Sequence, residues 1–364
     1  MRMSVLFLSY LISFNLCFAS AQKPSEITST QKPNKIIGKS PFLEDERNTI
    51  EVVQNNVNSV VFISTTQLAQ NWIYGTVEVP RGAGSGFLWD NQGHIVTNYH
   101  VVDGAESFII TFQGDNKEYK ATLVGGEPSK DIAVLKLEKT PTKLKAITPG
   151  SSKDLIVGQK TIAIGNPFGL DHTVTSGIVS ALGRKIEGVG GVKIYDMIQT
   201  DASINQGNSG GPLLNSAGEL IGMNTVIFST SGSSAGIGFA VPVDTISQIV
   251  PQLIKYGKVT RPGLGIAPLP DEIKMRFGVK KGVVIAALEE DGPAEKSGLK
   301  GMKRDIRGRY YLGDIVTKIN NDEIENFDDI FHTLEKYKVG DEVKVTYLRD
   351  GKEKTISLKL YQLK

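Results

Sequence analysis

Cysteine is almost absent from this chain of 364 residues. Cys17 is its only cysteine, which excludes an internal disulfide framework and a zinc or iron–sulfur site built from cysteines. The chain also lacks a large excess of charge of either sign, because 41 basic residues nearly balance 39 acidic residues and leave a net charge of +2. That balance argues against a protein built mainly to hold nucleic acid, so we expect no nucleic-acid partner.

Histidine is scarce as well, and this limits the possible chemistry. The chain has four histidines, which leaves a short list of general bases. Neither a nucleotide-binding loop nor a cluster of metal ligands is present in the sequence, so we expect no cofactor and no metal. The four histidines are His94, His100, His172 and His332.

Long apolar runs are limited to one, at the N-terminus. Arg2 precedes an apolar stretch from Val5 to Phe18, and Ala19-Ser20-Ala21 fits a cleavage site. We interpret residues 1–21 as a signal peptide cleaved after Ala21, because the apolar run is short for a membrane span. An uncleaved anchor is the alternative. Export predicts the periplasm; a secreted or membrane-associated protein is the less favoured outcome. Cleavage would also remove Cys17.

The middle of the chain has the pattern of an all-β protein. Residues 22–42 are rich in polar residues and predict a flexible segment. Short β-branched runs then recur with turn signals every 8–12 residues, in two sets of similar size. This spacing is typical of barrels, and we predict two six-stranded β-barrels within a domain of residues 43–259. A helix follows at Asp244 to Lys258, with Asp244 as its N-cap and Gly257 as its end.

Residues 260–364 have a different composition. Strand-like runs mix with two short helices, at residues 293–297 and 327–337, which predicts a small α+β domain. We predict that the basic stretch from Lys303 to Arg309 is an insertion exposed to solvent.

Glycines surround one serine, in the segment Gly207-Asn208-Ser209-Gly210-Gly211. Such a turn can point backbone N–H groups at one place, where they stabilise the oxyanion formed when a serine attacks a carbonyl. The segment also fits G-x-S-x-G, the nucleophile elbow of α/β-hydrolases.

The order of residues along the chain discriminates between these two possibilities. An elbow serine needs its histidine later in the chain, and only His332 follows Ser209. His100 and Asp131, each at the end of a predicted strand, instead give the order His–Asp–Ser of a chymotrypsin-like double barrel. An α/β-hydrolase esterase is therefore disfavoured.

Four segments together resemble the HtrA/Deg family of serine proteases: Thr97–Val102, Ser129–Leu137, Gly165–Leu170 and Thr200–Leu213. The resemblance runs from about Asn48 to the C-terminus. It implies a trypsin-like protease domain followed by one PDZ domain. The implied function is ATP-independent serine endopeptidase of extracytoplasmic quality control, which degrades misfolded or damaged polypeptides. The alternative is a chaperone that holds unfolded chains and cleaves them only secondarily.

Roles for the catalytic residues follow from serine protease chemistry. Ser209 would be the nucleophile, His100 the base, and Asp131 the residue that orients the imidazole. The N–H groups of Gly207, Asn208 and Ser209 would form the oxyanion hole. Gln206 stands where the family commonly has proline, which predicts a looser loop with lower basal activity.

The predicted specificity pocket carries no charge. Its walls would be Ile204 and the stretch from Ile227 to Gly238. A pocket without an acidic group does not favour Lys or Arg, so we expect cleavage after small or medium aliphatic residues.

The remaining assignments depend on the resemblance. Leu264, Gly265 and Ile266 would bind the C-terminal carboxylate of a peptide, which adds to the sheet edge as a strand. Arg184 and His172 are candidate regulatory residues, His172 because a loop histidine beside an aspartate can titrate near neutral pH. A homotrimer or larger assembly is implied, with Phe42 and Leu43 as contacts.

Overall fold

The structure is a computed structural model that describes residues 41–71, 75–115, 117–166, 172–187, 193–205, 207–225 and 236–363. The predicted signal peptide and nearly all of the predicted flexible segment lie outside these residues. Within the described ranges, no helix combines the length and the apolar character that a membrane crossing requires.

A first closed barrel follows helix α1 (Glu44–Asn56). Its strands are ordered β1-β2-β3-β6-β5-β4 around the barrel. The hairpin between β2 and β3 pairs Phe87 with Val96 and Leu88 with Ile95. The six strands are β1 (Val60–Asn71), β2 (Gly75–Leu88), β3 (His94–Thr97), β4 (Ser107–Phe112), β5 (Glu118–Glu127) and β6 (Ile132–Leu137), with a short helix α2 (Tyr99–Val102) after β3.

A second closed barrel has the order β10-β11-β12-β9-β8-β7. The prediction of two six-stranded barrels is thus confirmed. Helix α3 (Val243–Tyr256) follows the last strand. The strands are β7 (Lys160–Gly165), β8 (Thr173–Glu187), β9 (Lys193–Thr200), β10 (Pro212–Leu214), β11 (Leu220–Thr225) and β12 (Gly238–Pro242).

Strand β6 lies between two hydrophobic clusters and contributes side chains to both. Side chains alternate between the faces of a strand, and both faces of β6 are buried. Ile132 and Val134 pack in the cluster that also contains residues of the second barrel and α3. Ala133 and Leu135 pack inside the first barrel. Asp131, directly before β6, is therefore carried to the junction of the barrels.

Helix α3 departs from its predicted start. Asp244 lies in the first turn of the helix rather than at the N-cap, which is Pro242. The Asp244 carboxylate accepts hydrogen bonds from the backbone N–H and the hydroxyl of Ser152, at 2.7 and 2.5 Å. Asp244 thus bonds Ser152, which is distant in the sequence, and does not cap the helix. The predicted end of the helix is correct, since Gly257 is the C-cap with φ of +69°.

The C-terminal unit (residues 262–363) is a small α+β fold. Its main sheet has the path β14-β15-β18-β20-β21, so β14 lies at an edge. The basic stretch that was predicted as an insertion forms the exposed hairpin β16–β17. The strands are β13 (Pro262–Gly263), β14 (Ile266–Pro268), β15 (Val283–Leu288), β16 (Lys303–Arg304), β17 (Tyr310–Tyr311), β18 (Ile315–Ile319), β19 (Asp322–Glu323), β20 (Glu342–Arg349), β21 (Lys352–Lys359) and β22 (Tyr361–Gln362), and the helices are α4 (Asp271–Arg276), α5 (Pro293–Lys296) and α6 (Phe327–Leu334).

Candidate active site

A histidine and an aspartate meet at the junction of the two barrels. His100 lies on α2, directly after β3, and its Nδ1 atom is 2.9 Å from Oδ2 and 3.0 Å from Oδ1 of Asp131. An ionised carboxylate only accepts hydrogen bonds. Nδ1 therefore carries the proton, and the lone pair of Nε2 is left to accept another one. This is the tautomer that a general base needs.

Further contacts fix the Asp131 carboxylate. The backbone N–H of His100 donates to Oδ1 at 3.0 Å, and Oγ1 of Thr225 donates to Oδ2 at 2.7 Å. Thr225 ends β11 in the second barrel and is 3% exposed. Sequence reasoning missed it, because a lone threonine at a strand end belongs to no motif. Asp131 itself has φ of +54°, a left-handed conformation that aspartate tolerates better than most residues.

Ser209 lies in a tight turn before β10. Gly207 and Gly210 have φ of +110° and +83°, conformations that favour glycine. A Cβ on Gly210 would lie 2.2 Å from the carbonyl oxygen of Ser85, a residue of β2. The backbone N–H of Ser85 donates to the carbonyl of Ser209 at 2.9 Å. Glycine at 210 thus permits the close approach that joins the serine turn to the first barrel.

Two backbone N–H groups of this turn have no acceptor among the described residues: those of Gly207 and Ser209. The N–H of Asn208 was predicted to join them, but it donates to the carbonyl of Asn205 at 3.2 Å. The Asn208 side chain, 4% exposed, braces the same loop by bonding the N–H of Asn205 and the carbonyl of Ser203, both at 3.0 Å. In this structure the N–H of Asn208 is thus engaged within its own loop, and the oxyanion hole of Gly207, Asn208 and Ser209 stays a prediction. Gln206 lies outside the described residues.

His100 and Ser209 are not joined by a hydrogen bond in the structure, although both residues are described. Catalytic hydrogen bonds are often long in unliganded enzymes and tighten when substrate binds. The arrangement thus brings a histidine, a carboxylate, a serine and two backbone N–H groups without a described acceptor to one barrel junction.

The predicted pocket residues are only partly described, since Ile227 lies outside the described ranges. Gly238 begins β12, and a Cβ there would lie 2.5 Å from Cγ1 of Ile204. Ile204 is fully buried. These two residues are therefore in contact, and neither carries a charge.

His94 and Asp90 close the turn between β2 and β3. The Nδ1 atom of His94 is 2.6 Å from Oδ2 of Asp90. Burial alone would raise the pKa of Asp90, but the hydrogen bonds from the side chain and backbone of His94 outweigh it and hold this pKa below its ordinary value. His94 thus bonds the carboxylate of its own turn.

Each of the two candidate regulatory residues bonds a residue of the barrels. Nε2 of His172 is 3.2 Å from the carbonyl oxygen of Val60, at the start of β1. Nε of Arg184 donates to Oε1 of Gln199 on the neighbouring strand β9, at 3.0 Å. Both side chains are thus engaged within the barrels.

The predicted carboxylate-binding loop connects β13 to the edge strand β14. Leu264 is buried, and Gly265 has φ of +75°. The carbonyl of Gly265 accepts from Glu289, whereas the N–H groups of Leu264 and Gly265 have no acceptor among the described residues. Ile266 pairs with Leu288, and no strand in the described part of the chain pairs with the other edge of β14. Two N–H donors beside a bare strand edge can receive a peptide C-terminus.

Helix α6 of the C-terminal unit packs on the turn that carries Asp131. Nζ of Lys130 donates to Oε2 of Glu335, directly after α6, at 2.8 Å. The ring of His332 stacks on Tyr195 of β9, with 4.9 Å between centroids. Burial alone would raise the pKa of Glu335, but hydrogen bonds and charge from His332 and Lys130 lower it. Opposite charges therefore hold the C-terminal unit against the first barrel.

A second ion pair connects the start of the C-terminal unit to the same turn. Arg261 bonds the carboxylate of Glu127, which is 5% exposed, and the hydroxyl of Ser129 at 2.8 Å. A buried carboxylate that loses its cation is costly, so this pair ties residue 261 firmly to the end of β5.

Comparison with known families matches both parts of the chain. Residues 84–223 match the trypsin-like peptidase domain, and residues 262–360 match the PDZ domain.

Two relatives match over nearly the whole chain. Protease Do-like 1, chloroplastic, from Arabidopsis thaliana is 47% identical over 355 residues, which are 97% of this chain and 79% of the relative. The probable periplasmic serine protease do/HhoA-like of Haemophilus influenzae is 39% identical over 344 residues, 93% of this chain and 69% of that protein.

Solved structures agree with these relatives. HtrA-type protease AlgW with a decapeptide is 32% identical with a TM-score of 0.67, covering 87% of this chain and 99% of AlgW. The serine endoprotease from Yersinia pestis is 30% identical with a TM-score of 0.63, covering 90% of this chain and all of that one. The family resemblance predicted from sequence is thus confirmed, and the chain belongs to the HtrA/Deg family of serine proteases, as a serine endopeptidase whose trypsin-like domain is followed by a PDZ domain.

Proposed function

We propose that His100, Asp131 and Ser209 are the catalytic triad of this endopeptidase. The observation that carries the proposal is the bond from His100 Nδ1 to the Asp131 carboxylate, formed where the Ser209 turn meets the first barrel. A histidine held in this tautomer beside a serine in a glycine turn suits acyl transfer.

The proposed chemistry divides peptide hydrolysis into two steps. Nε2 of His100 takes the proton of Ser209 as Oγ attacks the scissile carbonyl, and it then gives that proton to the leaving amine. Water, deprotonated by the same Nε2, hydrolyses the acyl-enzyme and releases Ser209. In both steps the oxyanion would accept from the N–H groups of Gly207 and Ser209.

The proposed substrates are unfolded or damaged polypeptides, cleaved after small or medium aliphatic residues. The contact between Ile204 and Gly238 supports this specificity, since the described part of the pocket wall is apolar and holds no acid to pair with Lys or Arg. Unfolded chains expose such residues, which folded proteins bury.

The PDZ domain would capture peptide C-termini at Leu264, Gly265 and Ile266. The carboxylate would accept from the two N–H groups without an acceptor, while the peptide pairs with the bare edge of β14. This site lies in a domain that contacts the Asp131 turn, so peptide capture and cleavage would occur in one connected unit.

We further propose export to the periplasm and assembly as a homotrimer. The apolar N-terminal stretch of the sequence supports export. Exposed Phe42 and Leu43, at 40% and 72% exposure, supply apolar area for contacts between copies.

Substrate fate tests the proposed function. Purified protein is incubated with casein at several temperatures, and the products are sequenced by mass spectrometry. We expect fragments that end in Val, Ala or Ile. Casein held intact in a complex would contradict the proposal and favour a chaperone instead.

A further inference from the structure

Ser85 of β2 makes two hydrogen bonds to the serine turn and one to the residue that follows β7. It is fully buried. Its Oγ donates to the carbonyl of Gly207 at 2.5 Å and accepts the N–H of Asn166 at 2.7 Å. Its own N–H donates to the carbonyl of Ser209 at 2.9 Å. One side chain thus connects β2, the end of β7 and the turn that holds the serine.

The direction of these hydrogen bonds follows from which groups can donate and which can accept. A serine hydroxyl has one proton to donate and lone pairs to accept. The N–H of Asn166 can only donate, and the carbonyl of Gly207 can only accept. Ser85 Oγ therefore accepts a hydrogen bond from the N–H of Asn166 and donates one to the carbonyl of Gly207. Both backbone groups have Ser85 as their hydrogen-bond partner.

Gly207 is a residue that needs such a brace. Glycine populates more backbone conformations than any other residue, and Gly207 has φ of +110°. Its peptide group can rotate unless its carbonyl is held. The carbonyl of Gly207 belongs to the peptide group between residues 207 and 208, and the carbonyl of Ser209 to the peptide group between residues 209 and 210; Ser85 bonds both. The two N–H groups proposed to bind the oxyanion adjoin these held groups, since that of Ser209 lies between them and that of Gly207 directly precedes the first.

We propose that Ser85 is a positioning residue that keeps the oxyanion hole formed. This inference rests on the proposed function of Gly207 and Ser209. Ser85 touches neither the substrate nor the reacting atoms; it acts through the orientation of the turn. Because an oxyanion exists only in the transition state and the tetrahedral intermediate, losing the brace lowers kcat and leaves substrate binding nearly unchanged.

The test compares Ser85→Ala with a matched control. Thr65, fully buried on β1, donates its hydroxyl to the carbonyl of Gly82 on β2 at 3.1 Å, away from the serine turn. Thr65→Val removes a buried hydroxyl of the same kind without touching the site. Measurements are kcat and KM on a peptide substrate, the Kd of a peptide aldehyde that forms a tetrahedral adduct, and the melting temperature.

We expect kcat of Ser85→Ala to fall between about tenfold and a hundredfold, with KM changed less than about twofold. The Kd of the aldehyde should rise by the same factor as kcat falls. Thr65→Val should lose melting temperature but keep kcat. Equal kcat in both variants, or a change in KM alone, would overturn the inference.

Two additions keep the result decisive. If Ser85→Ala does not fold, Ser85→Cys replaces it, because a thiol keeps the shape with a weaker donor; an unchanged kcat in that variant overturns the inference. Labelling by a fluorophosphonate separates the two proposals. A wild-type protein that is not labelled at Ser209 contradicts the proposed function, whereas labelled wild type with unaffected Ser85 variants contradicts only the inference.

Discussion

Thr225 Oγ1 donates a hydrogen bond of 2.7 Å to Oδ2 of Asp131, and this bond crosses from the second barrel to the first. The acceptor also binds His100, so Thr225 helps to orient the carboxylate that holds the imidazole. The relative placement of the two barrels therefore affects the geometry of the proposed triad.

Replacing Thr225 with valine should slow catalysis without unfolding the protein. Thr225→Val keeps the shape and removes one donor to a charged group, a bond worth roughly 1.5–3 kcal/mol, of which we expect part in the transition state. We predict kcat about tenfold lower at constant KM. Thr225→Ser, which keeps the hydroxyl, should retain most activity, and equal loss in both variants would contradict this role.

Acid should weaken the contact between the PDZ domain and the Asp131 turn. The pKa of Glu335 is lowered in the folded state, so its contribution is present above its ordinary value of 4.5 and is lost as the pH falls through the lowered pKa. Urea unfolding should show Glu335→Gln less stable than wild type at about pH 7 and closer to it in stability at about pH 3. Glu353→Gln, at an exposed site on β21, is the control and should match wild type at both. A constant difference for Glu335→Gln across this range would refute the assignment.

Cleavage specificity should respond to the space beside Gly238. A methyl group there would lie 2.5 Å from Cγ1 of Ile204, so Ile204, the other residue of the proposed pocket wall, would have to shift. Gly238→Ala should lower kcat/KM for substrates with Val before the scissile bond about tenfold more than for those with Ala. Gly82→Ala is the control, since its Cβ would meet nothing closer than 3.7 Å. An unchanged Val-to-Ala ratio would show that these residues do not form the pocket.

Peptide capture should depend on the conformation of Gly265. A β-branched residue at φ of +75° is strained by roughly 1–3 kcal/mol, and its Cβ would lie 3.1 Å from Pro293. Gly265→Val should raise the Kd of a hydrophobic peptide about tenfold or more, measured by fluorescence anisotropy. Gly278→Val carries the same strain at φ of +78° with open space around it, and should bind normally. Wild type that binds the C-terminal amide of the peptide as tightly as the acid would contradict carboxylate capture.

The fold was predictable where the pattern of side chains is local. Turn spacing and β-branched runs gave both barrels, because alternation along each strand reflects which faces are buried. The continuous apolar run of β6 reflects burial on both faces, between two cores. The order of His100, Asp131 and Ser209 along the chain could be seen from sequence, since His100 and Asp131 adjoin predicted strands and glycines flank Ser209.

Contacts made by closing and packing the barrels were not predictable. Thr225 and Ser85 reach their partners across the junction, at separations of 94 and 122 residues, and neither belongs to a motif. Asp244 was expected to cap its own helix but found Ser152 instead, 92 residues away. The N–H of Asn208 bonds within its own loop, a detail of backbone orientation that residue types do not encode.

The account depends most directly on Ser209, and one comparison tests it. The melting temperatures of wild type and Ser209→Ala are first measured to show that both proteins are equally folded. Both are then incubated with casein at equal concentration. We predict that wild type fragments casein, while Ser209→Ala folds equally well and is slower by about 10⁴-fold or more. Casein cleavage by Ser209→Ala at a rate near that of wild type would contradict the proposed triad.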